Sequence, residues 1–263
     1  MAGEITIRQL ETIEELTRMQ QVEQTVWQMS PIPVHQTFTA LQHGGVILGA
    51  FDGPKMVGFL YSFAGFGKNA TYLCSHMLGI LPDYRKSGLG THMKLKQADV
   101  ARELGYSMIT WTFDPLESQN AYLNLHKLGA VGAAYKENYY GSMDDQLNQG
   151  LPTDRFQVEW DVHAKQLEPS STFDQDKVLL DTNEAGKPCL HLSRFHSHTN
   201  NWFVAIPWGF QEIKKHDIEL TREWRSKTGE AFRLLFAKGF TAVDLVNDPT
   251  RKTSYYKFSN EDY

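Results

Sequence analysis

The chain has 263 residues, of which 41% are hydrophobic and 22% charged, and its formal net charge is −5. This composition is ordinary for a globular protein with one large core or two modest ones, and the negative charge argues against a nucleic-acid partner. No apolar run reaches the roughly 20 residues that span a bilayer, the first residues lack the features of a signal peptide, and two cysteines are too few for a disulfide framework, so we expect a cytoplasmic protein with reduced thiols.

The first 81 residues predict a strand, two helices and an antiparallel meander of three further strands. Alternating polarity indicates the strands, and apolar residues at helical spacing indicate the helices. A proline-rich break at 30–33 separates the two helices. The predicted ranges are, in order, a strand at 4–10, helices at 11–28 and 34–43, and strands at 46–52, 56–65 and 72–81.

A glycine-rich turn follows the last of these strands and opens a helix. It reads Arg85-Lys86-Ser87-Gly88-Leu89-Gly90-Thr91. The N–H groups at a helix start lack partners and lie at the positive end of the helix dipole, so they can hold a phosphate, and the glycines let the backbone close round it. The turn therefore predicts a pyrophosphate cradle, with a plain solvated turn as the alternative.

The helix after the turn is predicted to be amphipathic and to stop at Gly105. Its buried face is expected to consist of Leu89, Met93, Val100 and Leu104, and its solvent face of Lys94, Lys96, Asp99 and Arg102.

The rest of the chain predicts further alternating strands and helices. Residues 163–263 open with a polar linker at 165–176 and then continue as a smaller α/β half. The fold class is thus α/β (α+β), a mixed and mostly antiparallel sheet flanked by helices, with domains at 1–164 and 165–263. The predicted ranges are strands at 107–113, 130–139, 155–162, 177–181, 202–206, 241–246 and 254–258, and helices at 117–128 and 216–238.

This order of elements, with R-x-x-G-x-G at the third helix, resembles the GNAT superfamily of CoA-dependent N-acyltransferases over residues 4–162. The resemblance implies the GNAT fold, a cradle whose backbone amides hold the CoA pyrophosphate, and backbone contacts to the pantetheine arm near Leu78 and Ile80. It implies acetyl-CoA or another acyl-CoA as cosubstrate and a second, degenerate GNAT-like half that completes the acceptor site. The implied cradle consists of Arg85, Lys86, Ser87, Gly88, Leu89, Gly90 and Thr91.

A second segment, residues 118–130, is similar to the GNAT stretch that carries an asparagine, an alanine, a tyrosine and a closing Lys-x-Gly. Alignment on Lys127 and Gly129 places Leu125 where many members have the tyrosine that protonates the departing thiolate. Asn120 and Tyr122 are then the candidates for the catalytic and cofactor contacts, with Tyr122 sharing the helix face of Leu125. A packing role for Tyr122 is the alternative, and the general acid stays unassigned.

Three residues are candidates for the general base that takes the proton of the attacking amine. His76 lies on the strand before the cradle, and a structural histidine is its alternative. Glu137 near the end of the sixth strand and Asp114 at the end of the fifth are the others, with a solvated strand end and a helix cap as their alternatives. Tyr139 and Tyr140 are either general acids or sheet-edge aromatics.

Arg194, Arg222 and Arg225 are candidates to clamp the carboxylate of an acceptor, with exposed helix charge as the default for Arg222 and Arg225. The stretch from 111 to 130 also looks like a longer bacterial GNAT group linked with N-succinyl amino acid racemases, which implies an amino acid acceptor and succinyl-CoA. One group of cysteine and histidine residues could in principle bind zinc, but a polar turn is the preferred interpretation and we expect no metal. That set is Cys189, His191, His196 and His198.

The predicted function is transfer of an acetyl or succinyl group from acyl-CoA to the amino group of a small molecule, such as an amino acid. The alternative is a catalytically weak CoA-binding or ligand-sensing module, which Leu125 permits. We expect a small-molecule amine as partner, and neither nucleic acid nor membrane.

Overall fold

The computed structural model describes residues 4–67, 70–85, 87–141, 150–164 and 173–261. The chain forms two compact units. Unit 1 comprises Met1–Trp111 and Trp160–Ala164, and unit 2 comprises Thr112–Glu159 and Lys165–Tyr263. Within the ranges that the structure describes, no helix is both long and apolar enough to cross a membrane.

Unit 1 contains the predicted order of a strand, two helices, a three-stranded meander and a third helix, and this order is confirmed. The strands β1 to β4 pair antiparallel in sequence order, and β5 pairs parallel to β4. The elements are β1 (Ile5–Gln9), α1 (Ile13–Trp27), α2 (Val34–Gln42), β2 (Val46–Asp52), β3 (Lys55–Phe66), β4 (Thr71–Ile80), α3 (Leu89–Glu103) and β5 (Met108–Phe113).

The first helix is fixed at its start by side chains. Thr12 accepts the backbone N–H of Glu15, and the Glu15 carboxylate accepts the N–H of Thr12, which is a capping box. Leu16 and Met19 then pack with Ile47 and Phe59 in the apolar core of this unit. This packing holds α1 on the sheet whose fourth strand leads to the glycine turn.

The helix α3 departs from its predicted faces at two residues. Leu104, expected inside, is 53% exposed because the helix has already ended at Glu103. Lys94, expected outside, is 3% exposed. It lies on a buried stripe with Ala98 and Ala101, at steps of four and three residues, which is the spacing of one helix face.

Lys94 is held inside by a polar network and an indole ring. Its Nζ donates to Ser75 Oγ at 3.1 Å and to Gln97 Oε1 at 2.9 Å, and it lies 3.6 Å from the ring centroid of Trp111. Gln97 donates in turn to Ser62 Oγ at 2.7 Å. Burial lowers the pKa of the Lys94 ammonium to about 7. The network ties α3 to β3 and β4.

Unit 2 has a mixed sheet in the order β7-β6-β11-β12-β10-β8-β9, in which the β8–β10 pair is parallel. Helices flank this sheet too, so the predicted α/β class is confirmed for both units. Its elements are α4 (Ser118–Ala121), a π-helical turn (Tyr122–Lys127), β6 (Val131–Lys136), β7 (Arg155–Asp161), β8 (Val178–Thr182), β9 (Pro188–Leu190), β10 (Asn201–Pro207), α5 (Phe210–His216), α6 (Ile218–Ala237), β11 (Thr241–Asp248) and β12 (Thr253–Ser259).

Two predicted helices of unit 2 are wrong in detail. The helix at 117–128 is a short α-helix that continues as a π-helical turn. The single helix at 216–238 is two helices, because Asp217 adopts an extended backbone and caps α6 by accepting the N–H of Leu220 at 2.9 Å. Strand β9 was not predicted, and most of the predicted linker lies outside the described residues.

The predicted boundary between residues 164 and 165 remains a prediction, whereas the compact units group residues 112–159 with the C-terminal segment. Two observations account for this grouping. Gly132 of β6 pairs with Ala242 of β11. The ring of Phe156 on β7 is buried against aromatic rings of α6 and β12. These rings belong to Phe232, Phe236, Tyr256 and Phe258.

The buried lysine predicts an unusual pH dependence of stability. Between the folded pKa of about 7 and the ordinary value of 10.5, the unfolded chain binds more protons at Lys94 than the folded chain does. The free energy of unfolding should therefore rise with pH in this window, by up to about 1.4 kcal/mol per pH unit. Urea unfolding of the wild type and Lys94→Met between pH 7 and 9.5 should show this rise lost in the variant. Lys96→Met on the same helix is the control, and equal slopes in wild type and Lys94→Met would contradict the interpretation.

Candidate functional site

The glycine turn places an uncapped helix start at the end of β4. Gly88 is the N-cap of α3, with φ 83°, a left-handed conformation that glycine adopts without strain. No side chain among the described residues caps this helix, and its first turn has no acidic residue. The N–H of His92 makes the first helical hydrogen bond, to Gly88 O at 3.2 Å. The three preceding N–H groups are therefore available to an anion.

Side chains around the turn hold it to the sheet of unit 1. Arg85 Nε donates to the carbonyl of Ile80 at 2.9 Å, and Ser87 Oγ donates to the carbonyl of Tyr84 at 2.8 Å. The Tyr84 hydroxyl donates to Asp52 at 2.8 Å. Lys86, predicted as part of the cradle, lies outside the described residues. The remaining cradle residues form this turn and the start of α3, and their role in binding stays a prediction.

Strand β4 has a β-bulge just before the predicted pantetheine contacts. Tyr61 pairs with Met77 while Ser62 pairs with Ser75, so His76 is the extra residue. Bulges re-aim side chains and are common next to active sites. Leu78 and Ile80 follow the bulge and are half-buried. In the described part of unit 1, the parallel ladder to β5 consists of two residue pairs that precede the bulge.

The His76 ring packs against two aromatic rings and is still open to solvent on part of its surface. Its centroid is 5.9 Å from that of Tyr61 and 5.7 Å from that of Phe63. This partial burial lowers the pKa of the imidazole below its ordinary value of 6.5. The ring is therefore neutral at neutral pH and can accept a proton.

Asn120 and Tyr122 both lie in unit 2. Asn120 is exposed on α4. Tyr122 begins the π-helical turn and stacks on the ring of His126 at 4.5 Å, and His126 Nδ1 is 2.9 Å from a carboxylate oxygen of Asp244. Leu125 is 2% exposed and belongs to the core, whereas Tyr122 is half-buried. π-helical turns are frequent at functional sites, so Tyr122 remains a candidate.

Glu137 lies just after β6 and makes an ion pair. Its carboxylate is 2.7 Å from Arg233 Nη1, and both side chains are about half exposed. Strand β6 ends one residue earlier than Glu137, and Asn138 turns the chain with φ 44°. The predicted strand at 130–139 is thus shorter than expected, and Glu137 is placed in the turn that follows it.

Tyr140, a candidate for the general acid, lies after this turn. Its hydroxyl is 2.9 Å from Thr112 Oγ1.

Asp114 and Arg225, which the sequence offered as separate candidates, form one buried ion pair. Arg225 donates from both terminal nitrogens to the two Asp114 oxygens, at 2.9 and 2.5 Å, and the Arg225 side chain is 6% exposed. Asp114 also accepts the N–H of Leu116 at 2.9 Å. The expectation of exposed charge at Arg225 is therefore wrong. Asp114 does not cap α4, since the N-cap is Glu117 without a side-chain hydrogen bond.

Within the residues that the structure describes, no group of three or more His, Cys, Asp or Glu side chains could hold a metal ion. Cys74 and Cys189 are both free thiols. Burial raises the pKa of the Cys74 thiol. Cys74 is therefore a weak nucleophile at neutral pH.

A mixed sheet whose fourth strand leads through a glycine turn to an uncapped helix defines an α/β domain suited to bind an anion at that turn. Residues 10–130 match the sequence model of the acetyltransferase (GNAT) family, which is a family of enzymes. The predicted resemblance is thereby confirmed, and the match includes the whole cradle. No curated protein matches the chain.

Three solved acetyltransferase structures resemble the chain weakly. A GNAT-family acetyltransferase from Streptococcus pneumoniae is 17% identical, covering 59% of this chain and 98% of that one at a TM-score of 0.49. The ribosomal-protein-S18-alanine N-acetyltransferase from Escherichia coli is 18% identical, covering 65% and 100% at 0.48. An aminoglycoside acetyltransferase from an uncultured soil metagenomic sample is 16% identical, covering 44% and 82% at 0.40. The family assignment rests on the sequence match.

Sequence reasoning missed two features of these sites. The burial of Lys94 had a signal, the alanines four and seven residues later on the same helix face. The pairing of Asp114 with Arg225 had none, because 111 residues separate the partners and only the folded chain brings them together.

The Asp114–Arg225 pair predicts a large loss of stability when one partner is removed. Asp114→Ala leaves the buried guanidinium without its partner and should lower the free energy of unfolding by about 3–5 kcal/mol. The double variant Asp114→Leu with Arg225→Met should recover much of this loss in urea unfolding, because it removes both charges of the pair. The longer contact of Asp114 with Arg155, at 4.0 Å, is also lost in both variants. Glu219→Ala, which breaks the exposed pair with Arg222, is the control and should cost less than about 1 kcal/mol. An additive double variant would contradict this interpretation.

Proposed function

We propose that the protein is a CoA-dependent N-acyltransferase that moves an acetyl or succinyl group to the amino group of a small molecule, with a free amino acid as the acceptor. One observation carries the proposal, the uncapped start of α3 inside the segment that matches the acetyltransferase family. The proposed setting is the cytoplasm, without a nucleic-acid or membrane partner.

The residues of the turn fit the diphosphate of CoA. The N–H groups of Leu89, Gly90 and Thr91 begin α3, where the helix dipole favours negative charge. Arg85 stands exposed at the turn, and Lys86 adds a second cation in this proposal. The other proposed CoA contacts are Leu78, Ile80, Ser87, Gly88 and Asn120.

When bound, acyl-CoA supplies the acyl group as an activated thioester. An amine attacks a thioester only in its neutral form, so a base must take the proton. His76 is the best of the candidates because its lowered pKa keeps it neutral and it lies on the bulge of β4. Glu137 is the weaker candidate because its carboxylate already makes an ion pair with Arg233. Tyr122 is the proposed group for the thiolate, with Asn120 beside it in sequence.

A CoA-binding or ligand-sensing module remains the second candidate function. The observation in its favour is Leu125, which is buried in the core at the position where many family members have the tyrosine that protonates the thiolate. This alternative keeps the cradle and needs neither His76 nor Tyr122.

Adding a carboxylate to the cradle should abolish CoA binding without unfolding the protein. In Gly90→Asp the new charge repels the diphosphate, whereas an acidic residue in the first turn stabilises a helix. We expect the Kd for CoA, measured by titration calorimetry, to rise at least about 100-fold, or about 2.7 kcal/mol. Gly209→Asp adds the same charge at an exposed position of unit 2, where φ is −118° and an added Cβ would meet the Glu212 Cβ at an ordinary 3.8 Å, and it should leave the Kd nearly unchanged. An unchanged Kd in Gly90→Asp would refute the cradle.

Removing the proposed base should lower the rate and leave CoA binding intact. With acetyl-CoA or succinyl-CoA and a panel of amino acids and amines, His76→Gln should reduce thiol release by about 10²–10⁴-fold. In the wild type, kcat should fall as the pH drops through the lowered pKa of His76, below 6.5, because the imidazole becomes protonated.

His76→Gln should lack this acidic limb, and Lys96→Gln on the solvent side of α3 serves as the control for rate. Full activity in His76→Gln would exclude His76 as the base. CoA binding without thiol release for any acceptor would favour the sensing module.

A further inference from the structure

A cavity of about 500 Å³ in unit 2 is lined by one face of α6 and by the turns next to β6 and β7. The α6 residues recur at steps of four, three and four, which brings them to a single side of the helix. They are Arg222, Ser226, Gly229 and Arg233, and Arg225 also lines the cavity.

The arginines of this cavity differ in how firmly they are held. The pairs Arg222–Glu219, at 2.5 Å, and Arg233–Glu137, at 2.7 Å, have side chains that are about half exposed or more. Exposed pairs of this kind contribute little to stability, so a ligand carboxylate can replace Glu219 or Glu137 as the partner of the arginine. Arg225 is fixed by Asp114, yet its buried Nε–H has no acceptor among the described residues. The cavity thus offers several guanidinium donors to an anion.

The same cavity contains a buried carboxylate with neutral partners. Asp154 is 5% exposed and accepts hydrogen bonds from the Tyr135 hydroxyl at 2.6 Å and the Asn138 N–H at 2.9 Å. Burial, together with the hydrogen bond to Asp154, raises the pKa of Tyr135, which therefore stays protonated and donates. The hydrogen-bond donors to Asp154 are neutral, and the charge of Arg225 acts on this carboxylate as well. A ligand ammonium would add a charge-assisted hydrogen bond to Asp154.

A glycine on α6 makes room for this arrangement. A Cβ at Gly229 would lie 2.9 Å from the Tyr135 hydroxyl. Any larger residue would push Tyr135 from the helix and disturb its bond to Asp154. The absence of a side chain at this position therefore keeps the cavity and its carboxylate in place.

We propose that this cavity binds a small zwitterion, a free amino acid, with the carboxylate on the arginines of α6 and the ammonium on Asp154 and Glu137. Cations and anions line one concave site, and a ligand with a single charge would satisfy only one set. The proposal goes beyond acyl transfer because it assigns a ligand to unit 2 that binds whether or not transfer occurs.

Calorimetry without acyl-CoA tests the proposal with the twenty protein amino acids, their α-amides and their N-acetyl derivatives. At least one amino acid should bind, and its amide and its N-acetyl derivative should each bind at least about tenfold more weakly, since each lacks one charge. Absence of binding by all twenty would overturn the proposal, as would equal binding of the amide or the N-acetyl derivative.

Variants locate the site. Arg233→Gln and Arg222→Gln should each weaken binding about tenfold, and Ser226→Trp at the exposed rim should abolish it by filling the cavity. Arg18→Gln is the matched control, an exposed arginine of α1 outside the cavity, and should bind normally.

Circular dichroism melting of each variant checks that the fold is retained. Gly90→Asp should lose CoA and keep the amino acid, so failure of this proposal and failure of the proposed function are distinguishable. Normal binding by all three cavity variants would overturn the proposal.

Discussion

Helix α3 is tied to the sheet near its middle by a buried polar network, while its first turn is left without a side-chain cap among the described residues. Lys94 connects the helix to Ser75 on β4 and, through Gln97, to Ser62 on β3. An uncapped helix start would normally be satisfied by water or a side chain. Burying Lys94 costs free energy, but its hydrogen bonds hold α3 in one position. The free N–H groups at the helix start are therefore held rigidly, which favours the binding of a diphosphate.

Two ion pairs in unit 2 differ in burial, and therefore in whether they hold the fold together or can exchange partners with a ligand. The pair of Asp114 and Arg225 is buried and bidentate, so it fixes α6 to the chain segment that follows β5. The pair of Glu137 and Arg233 is exposed and easily exchanged. Because burial removes competing water, the first pair contributes to the fold, whereas the second leaves its charges free for recognition.

The sequence predicted the order of elements in unit 1 and the position of the glycine turn because both depend on local patterns. It failed where tertiary contacts decide. The left-handed backbone at Asn138 ends strand β6 early, and the extended backbone at Asp217 divides the predicted helix into two. Neither residue ends a strand or a helix as reliably as glycine or proline. Lys94 was expected to face solvent because it is charged, yet its side chain is buried. The alanines on the same helix face could have indicated this burial.

The cavity of unit 2 was only partly predictable. Arg222 and Arg225 of α6 were identified as candidates from their charge, but Arg233 was not. Tyr135 and Asp154 were missed because their hydrogen bond joins β6 to the residue before β7, and the register of these strands cannot be read from one sequence. The buried position of Leu125 likewise follows from packing, not from the alignment that drew attention to it.

Hydrogen exchange of the backbone amides at residues 87–92, with and without CoA, tests the central claim most directly. If these N–H groups hold the diphosphate, CoA should slow their exchange, and pantetheine, which lacks the diphosphate, should not. Unchanged exchange in saturating CoA, or equal protection by pantetheine, would contradict the account.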